Sequence, residues 1–498
     1  MKKITVVIFL IVMAFWAEAW AQHRGDLLSF QGIDETTDGG AESMAMGGAF
    51  TAMSGSIDNL FHNVAGLAAL KKYTISIGGN YYRKDWWENQ VYRPDRYFVT
   101  LPFYLEGMYV PDPKNNGVLD RDLALDSSYV VQPPRDAGKE VDSRAAADWT
   151  RRKSAPVFNN IALALPFELL KHKIVVAAAY QQKINFLDFD RNDTYLVPLI
   201  GYSGYQGFVP RINGNDTLNL QWYKYSRERT GALKSLRLAI AGNITQRFNA
   251  GVSLEFVSGK STDWLRLNKN GYFGLIDENK FFFSYDTLNH EEKGTSDFSS
   301  FNAHIGLQYR FDHVTAGLNV TLPRTWNRQW SYSIREQTAL NTSKREKSGK
   351  DRFEVPAVYQ LGLAFIPVKS FTFSMAYRWA PYHHATFKLA RTDSTFRPWP
   401  NQHAVMAGIR YCVNSYWILM AGYRWESAVF VPDGAAYRAY GPYKTSVTLG
   451  TKLAFGSWGS LVLAAEFRSL KYHDTYFSNT NYASERFQNF MIGYVYQF

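Results

Sequence analysis

Few residue groups in this chain have the types and spacing for chemistry. His383-His384 is the only adjacent imidazole pair, and it invites a metal-site reading. On a strand, however, neighbouring side chains point to opposite faces, so two adjacent rings would not share a metal. The glycine-rich run Gly39 to Gly48 suggests a phosphate cradle, but no Lys-Ser/Thr ending follows it. Cys412 is the single cysteine, which removes an intramolecular disulfide and any multi-cysteine metal site, and it reads as an inert thiol in an apolar strand. No nucleophile, base and acid set stands out, so no enzyme, metal or cofactor is expected. What remains is binding chemistry. Arg310 and Arg378 sit in alternating strands where a lumen-facing guanidinium could meet a carboxylate. The segment Tyr195 to Pro210, with Leu196, Val197, Leu199, Ile200 and Phe208, is unusually apolar for an external loop and reads as a binding surface for an apolar ligand or as a lid.

The elements that must position these groups follow from composition and period. Phe, Tyr and Trp make up 16% of the 498 residues, yet mean hydropathy is only −0.28. After residue 21 no run of about 20 uncharged apolar residues occurs, the length a helical span needs. A net charge of +11 comes from scattered residues rather than a basic run, so nucleic acid is not an expected partner. Alternation with period 2 is the dominant signal. Phe301, Ala303, Ile305, Leu307, Tyr309 and Phe311 fall on one face, and Asn302, His304, Gly306, Gln308 and Arg310 on the other. The same pattern recurs at 371–379 and at 490–498. Fourteen strands can be drawn, at about 73–84, 155–166, 172–187, 220–243, 247–267, 297–311, 313–331, 353–366, 370–387, 401–412, 416–429, 444–455, 458–473 and 487–498. Connections after even-numbered strands are tight, and those after odd-numbered ones run from about 13 to about 70 residues, the longest near 85–154. That asymmetry predicts an all-β fold, a transmembrane antiparallel barrel with both ends at the short-turn, periplasmic rim. Strands longer than a bilayer requires should project outward as ribbons. Trp326, Trp330, Trp379, Trp417, Trp425 and Tyr496 are expected in the interfacial girdles.

Lys2-Lys3, the apolar stretch Ile4 to Phe15 and Ala19-Trp20-Ala21 read as a signal peptide over 1–21, cleaved before Gln22. With the terminal aromatic Phe498, this places the chain in the outer membrane after passage through the periplasm, with membrane lipid and the barrel-assembly machinery as partners. Residues 22–70, before the barrel at 71–498, carry glycines among Met44, Met46, Phe50, Leu60, Phe61 and Leu67. A compact segment of this kind at the periplasmic rim buries its apolar groups best by folding into the barrel as a plug.

The stretch Met46-Gly47-Gly48-Ala49-Phe50-Thr51-Ala52, followed by Asn63-Val64-Ala65-Gly66-Leu67, resembles the N-terminal hatch of the FadL/TodX family of outer-membrane transporters for long-chain fatty acids and other hydrophobic compounds. Val64 stands where that family has proline. Val355 to Phe365, Phe248 to Phe256 and Phe490 to Tyr494 resemble its strands. The resemblance implies a fourteen-stranded barrel, a hydrophobic ligand, and gating by the hatch residues Gly47, Gly48, Phe50, Asn63, Val64, Ala65 and Gly66. The alternatives are a non-transporting barrel that binds partner proteins in a secretion or surface-anchoring assembly, and a general porin for polar solutes.

Overall fold

A computed structural model describes residues 39–92, 143–169, 172–200, 218–277, 280–284, 288–338, 340–390, 399–430, 432, 441–475 and 479–498. The expected signal peptide, residues 22–38, most of the first long loop and Phe208 lie outside the described residues.

Fourteen antiparallel strands close into one barrel. They are β1 (Thr74–Tyr92), β2 (Trp149–Leu169), β3 (His172–Ile200), β4 (Leu218–Asn243), β5 (Phe248–Asp277), β6 (Lys280–Ser284 continuing as Leu288–Arg310), β7 (Val314–Thr321 and Arg324–Gln337), β8 (Thr342–Val355 and Val358–Val368), β9 (Phe371–Ala380 and Thr386–Lys388), β10 (Gln402–Cys412), β11 (Trp417–Ser427), β12 (Tyr443–Ala454), β13 (Ser460–Thr475) and β14 (Asn479–Gln497). Closure is the pairing of β1 with β14, from Thr74↔Gln497 to Tyr92↔Asn479. Closure of β1 on β14 removes the two free edges that an open sheet would leave, which suits a sheet that spans hydrocarbon. The start of β1 and the end of β14 meet at the short-turn rim, where the Phe498 amide donates to Tyr73 O at 3.1 Å.

Alternation sets the two faces. Ile77, Leu163, Leu238, Leu254, Ile305, Leu363, Leu449 and Ile492 are exposed on the outside, an apolar area that suits lipid and not water. Asn302, His304, Gln308 and Ser374 are buried on the inside. No described helix is long and apolar enough to cross a membrane, which says nothing about strands.

The outer halves of several strands run far past the roughly 10 residues a bilayer needs. β3 has 29 residues and β5 has 30. The expected loops after β5 and β7 are therefore largely ladder among the described residues: β5 still pairs at Asp277↔Lys280, and β7 with β8 at Gln337↔Thr342. Leu196, Val197, Leu199 and Ile200, expected in a loop, belong to β3 by backbone and pair with 218–222 of β4. Their β-branched and apolar character extends the strand, which corrects the loop assignment.

Three neighbouring strands break near one level, each at a proline: Pro323 in β7, Pro356 in β8 and Pro381 in β9. Proline cannot donate to the ladder, so the breaks are local consequences of sequence. After Pro381 the chain makes a short 3-10 turn, Tyr382–His384. His383 and His384 are thus not on a strand, and their rings lie together, with centroids 3.5 Å apart. No group of metal-ligating side chains occurs among the described residues.

Candidate ligand site and the N-terminal segment

Residues 39–70 fold as α1 (Ala41–Ala45), α2 (Asn59–His62) and a 3-10 turn, Val64–Ala69. Neither helix is long enough to stand alone. They are held by contact with inward-facing strand residues. Ile57, Leu60, Val64 and Leu67 pack on Ala162, Val175, Ala177, Ala239 and Ala241. Met44, Met46, Phe50 and Met53 pack on Ala364, Met420, Val462 and Met491.

Close approach is possible because the strands present glycine where the segment touches them. A Cβ at Gly306 would run into Asn63 Oδ1, and one at Gly422 into the Gly47 amide. Gly317 and Gly362 meet Thr51, Gly408 meets Met46, and Gly450 meets Ala45. The segment answers with its own glycines. Gly47 has φ 65° and its backbone lies on Tyr423, while Gly48 has φ 82°. Asn63 joins both bodies: its Nδ2 donates to Thr51 O at 2.7 Å and to Leu307 O at 3.1 Å, and its Oδ1 accepts from the Ala65 amide at 3.2 Å. That last bond caps the 3-10 turn, so Val64 begins it without the pre-set φ of a proline. Phe50, Val64 and Ala65 are buried, and a Cβ on Gly66 would meet Asn59 and Met53 O. Asp58 accepts from the Ser43 amide at 2.9 Å. Burial, then the nearby Glu42 charge, push its carboxyl up to about 6.

Beyond this segment the inward faces of β3 to β9 form three layers. Nearest is an ionic group: Arg237 Nη2 and Lys183 Nζ lie 2.7 and 2.9 Å from Glu255 Oε1, and Asn302 Nδ2 donates to Oε2 at 2.7 Å. Next is an apolar layer containing Phe186, Leu233, Val257, Phe298, Trp326, Phe353, Val355, Tyr382 and Trp399. Phe186 and Phe298 are 5.1 Å apart, and Trp399 lies 6.1 Å from Phe353 and 4.7 Å from Phe387. Outermost is a second ionic group. Arg229 bridges Asp263 at 2.5 and 3.1 Å, Tyr332 OH donates to Asp263 at 2.6 Å, and Arg328 reaches Asp351 at 3.0 Å. Arg229 also lies 5.6 and 5.8 Å over Phe186 and Phe298, so the charged and aromatic layers are in direct contact.

Arg378 stands at the edge of the apolar layer, hydrogen-bonded to Gln402 Oε1 and, at 3.3 Å, to Tyr382 OH. Arg324, which the sequence did not single out, also comes close to the Tyr382 hydroxyl, and its Nη1 is buried without a hydrogen-bond partner among the described residues. Neither guanidinium has a carboxylate partner among the described residues. Arg310 has the inward parity expected of it, but it is exposed at the short-turn rim beside Phe311, far from the apolar layer, and drops out of the site. Trp326 and Trp330 are buried inside rather than in the girdle, because they share the face of Arg328 and Tyr332. Trp379, Trp417 and Tyr496 are exposed on the outside, and Trp425 is half-buried against Tyr443.

Among the described residues the wall is interrupted between β2 and β3. β2 pairs with β3 only from Asn160↔Gln181 to Leu169↔His172. Farther out β2 stays with β1, and β3, after irregularities at Gln182/Ile184 and Asn192/Tyr195, stays with β4. The outer half of β3 lies against the inner face of β1 and β2: Trp149 Nε1 donates to Arg191 O at 2.9 Å, and Trp86 and Trp149 flank Phe189. Arg151 and Lys153 of β2 cross to Glu228 of β4.

No family model matches the chain, and no curated protein does. Solved structures do. A FadL homologue of Pseudomonas aeruginosa matches with a TM-score of 0.55 at 13% identity, covering 93% of this chain and 98% of that one. The monoaromatic hydrocarbon channel CymD matches at 0.53 and 11%, covering 92% and 97%. The toluene transporter TodX of P. putida matches at 0.52 and 12%, covering 92% and 98%. All three are channels or transporters, or homologues of one, rather than enzymes. Identity at this level speaks for fold alone, and over almost the whole of its length the chain has the outer-membrane barrel fold of the FadL and TodX group.

Proposed function

We propose that this barrel carries hydrophobic compounds such as long-chain fatty acids across the outer membrane without catalysis, and that residues 39–70 are its hatch. In this reading the chain reaches the membrane through the periplasm after losing residues 1–21. The observation that carries the proposal is the apolar layer held inside the barrel with Arg324 and Arg378 at its edge. Phe186, Phe298, Phe353 and Trp399 offer an aliphatic chain a dry surface, and burial of apolar area is the driving force. Two arginines without carboxylate partners among the described residues suit a carboxylate head. In the described state side chains fill this layer, so entry of a ligand requires them to move apart.

Hatch gating draws support from how the segment is held. It is seated on glycines and fastened through Asn63, Gly47 and the Arg237 bonds to Leu60 O and Phe61 O, so a modest shift would release several bonds together. In this reading the ligand passes into lipid at the interruption between β2 and β3, once the contacts that hold outer β3 against β1 and β2 part. The test is uptake of labelled oleate by cells or proteoliposomes carrying the intact chain. Uptake that falls on replacing Phe298 and Phe353 with alanine supports the proposal. Uptake indistinguishable from protein-free vesicles counts against it.

A further inference from the structure

The lipid-facing wall carries a feature that transport through the lumen does not use. Where β12, β13, β14, β1 and β2 adjoin, the outer face is indented into a shallow, open groove of about 930 Å³. Its walls are the large outward side chains Tyr81, Phe158, Leu449, Leu463, Phe490 and Ile492, and its floor is lowered by the small residues Gly79 and Ala465. A convex lipid-facing wall offers an acyl chain only its outer side chains, whereas this shallow groove adds contact with the small residues of its floor.

Charge stands directly above the recess on the same face. Tyr81 pairs with Phe490 on one side and Pro156 on the other. Two residues farther out on β1 is Arg83, and two beyond that Asp85, about 7 and 14 Å along the strand at ~3.4 Å per residue. Asp85 is flanked across the ladder by Arg486 of β14 and Arg152 of β2. The Asp85 carboxylate is buried beneath three guanidinium groups, with Arg152 at 2.6 Å, Arg83 at 2.9 Å and Arg144 at 3.5 Å. Arg486 lies 5.0 Å over the Trp87 ring and has no carboxylate partner among the described residues. Four arginines thus surround one aspartate, at the height where the outward apolar stripe of β1 (Ile75, Ile77, Tyr81) ends. That is the level of outer-leaflet headgroups. Arginine clusters with fixed forks are matched to phosphate oxygens.

We propose that this wall is a binding site for one phosphorylated, acylated glycolipid of the outer leaflet. Its acyl chains lie in the groove beside Phe158, Leu463 and Phe490, and a phosphate sits on Arg83, Arg152 and Arg486. The site faces the membrane, is separate from the lumen and is independent of the transport reading.

The test uses the full chain folded in dodecylmaltoside micelles, titrated with bis-phosphorylated lipid A and followed by native mass spectrometry. Wild type is expected to hold one lipid A. R83Q/R152Q/R486Q should lose at least tenfold in affinity, and dephosphorylated lipid A should bind wild type as weakly as lipid A binds that variant. Ala465→Trp, which fills the groove, should weaken both forms several-fold. Heat-modifiable gel migration reports folding, and the single Arg486→Gln variant stands in if the triple variant fails to fold. Equal binding of phosphorylated and dephosphorylated lipid overturns the proposal. So does undiminished binding by the arginine variants, or displacement of lipid A by millimolar inorganic phosphate alone.

Discussion

Arg237 Nη1, on β4, donates to the main-chain carbonyl of Leu60 at 2.9 Å, while Nη2 of the same guanidinium is held by Glu255 at 2.7 Å. One side chain therefore ties the C-terminal end of α2, where carbonyls lack intrahelical partners, to the charged layer of the barrel wall. It couples the N-terminal segment to the floor of the apolar layer, and a disturbance in one reaches the other.

Arg237→Ala should loosen the segment more than the barrel. The change removes two charge-assisted bonds to Leu60 and Phe61 and leaves Glu255 with Lys183 and Asn302, a loss of about 1–3 kcal/mol. Hydrogen exchange of amides 59–67 is expected to speed up roughly tenfold or more, with the amides of β12 and β13 unchanged. Uniform protection across the segment would refute this coupling.

Gly306→Val and Gly422→Val should each displace the segment, because a side chain there enters Asn63 or the Gly47 backbone. Overpacking of this kind costs about 1–3 kcal/mol. The expected readout is ion conductance in planar bilayers, low in wild type and raised in both variants. Gly79→Ala serves as the control, since its added carbon would stand at an ordinary 3.6 Å from Val157 O. Conductance of the two valine variants equal to the control would show that the segment does not close the lumen.

The Asp58 carboxyl titrates near 6 in the folded chain against 3.8 ordinarily. A raised acid binds more protons folded than unfolded, so between about pH 4 and pH 6 its contribution to stability declines as pH rises, and the loss is complete above that window. Acidification from pH 7.5 to 5 should therefore raise the unfolding temperature followed by intrinsic fluorescence. Asp58→Asn should flatten that dependence and stabilise the chain at pH 7.5, by up to about 3 kcal/mol. A wild-type stability that rises from pH 5 to 7.5 through this group would have the wrong sign.

Replacing Arg378 and Arg324 together with glutamine should lower affinity for a fatty acid anion about tenfold and leave the matching fatty alcohol unaffected, because only the anion uses the two guanidinium groups. Phe353→Ala should weaken both ligands alike. A double-glutamine variant that loses both to the same degree would mean the arginines only support the fold.

Much of this was legible in the sequence because a barrel strand writes its two faces into alternate residues. Phe301, Ile305, Tyr309 and Phe311 are exposed as expected, with Ala303 and Leu307 half-buried between them, and fourteen strands follow from turns as short as 311–313. Where the structure departs from these expectations, the cause is local and physical. Residue type points Trp326 and Trp330 to the girdle, yet their parity with Arg328 places them inside. Arg310 had the right face, but its position two residues before the Asp312 turn fixes it at the rim. His383 and His384 left the strand because Pro381 ended it. The seating of the N-terminal segment has a readable sign in the inward glycines that recur on eight of the strands, at Gly251, Gly306, Gly317, Gly362, Gly408, Gly422, Gly450 and Gly493. Arg324 carried no local signal, since its meeting with Arg378 at Tyr382 depends on strand breaks in three dimensions.

The most direct test of the central claim is a crystal structure of the chain grown with a terminally brominated C16 fatty acid, read by bromine anomalous scattering. The account predicts a bromine site inside the barrel against Phe298, Phe353 and Trp399, with the carboxylate on Arg324 and Arg378. Bromine found only on the outer wall, with the apolar layer packed as in the unliganded chain, would contradict it.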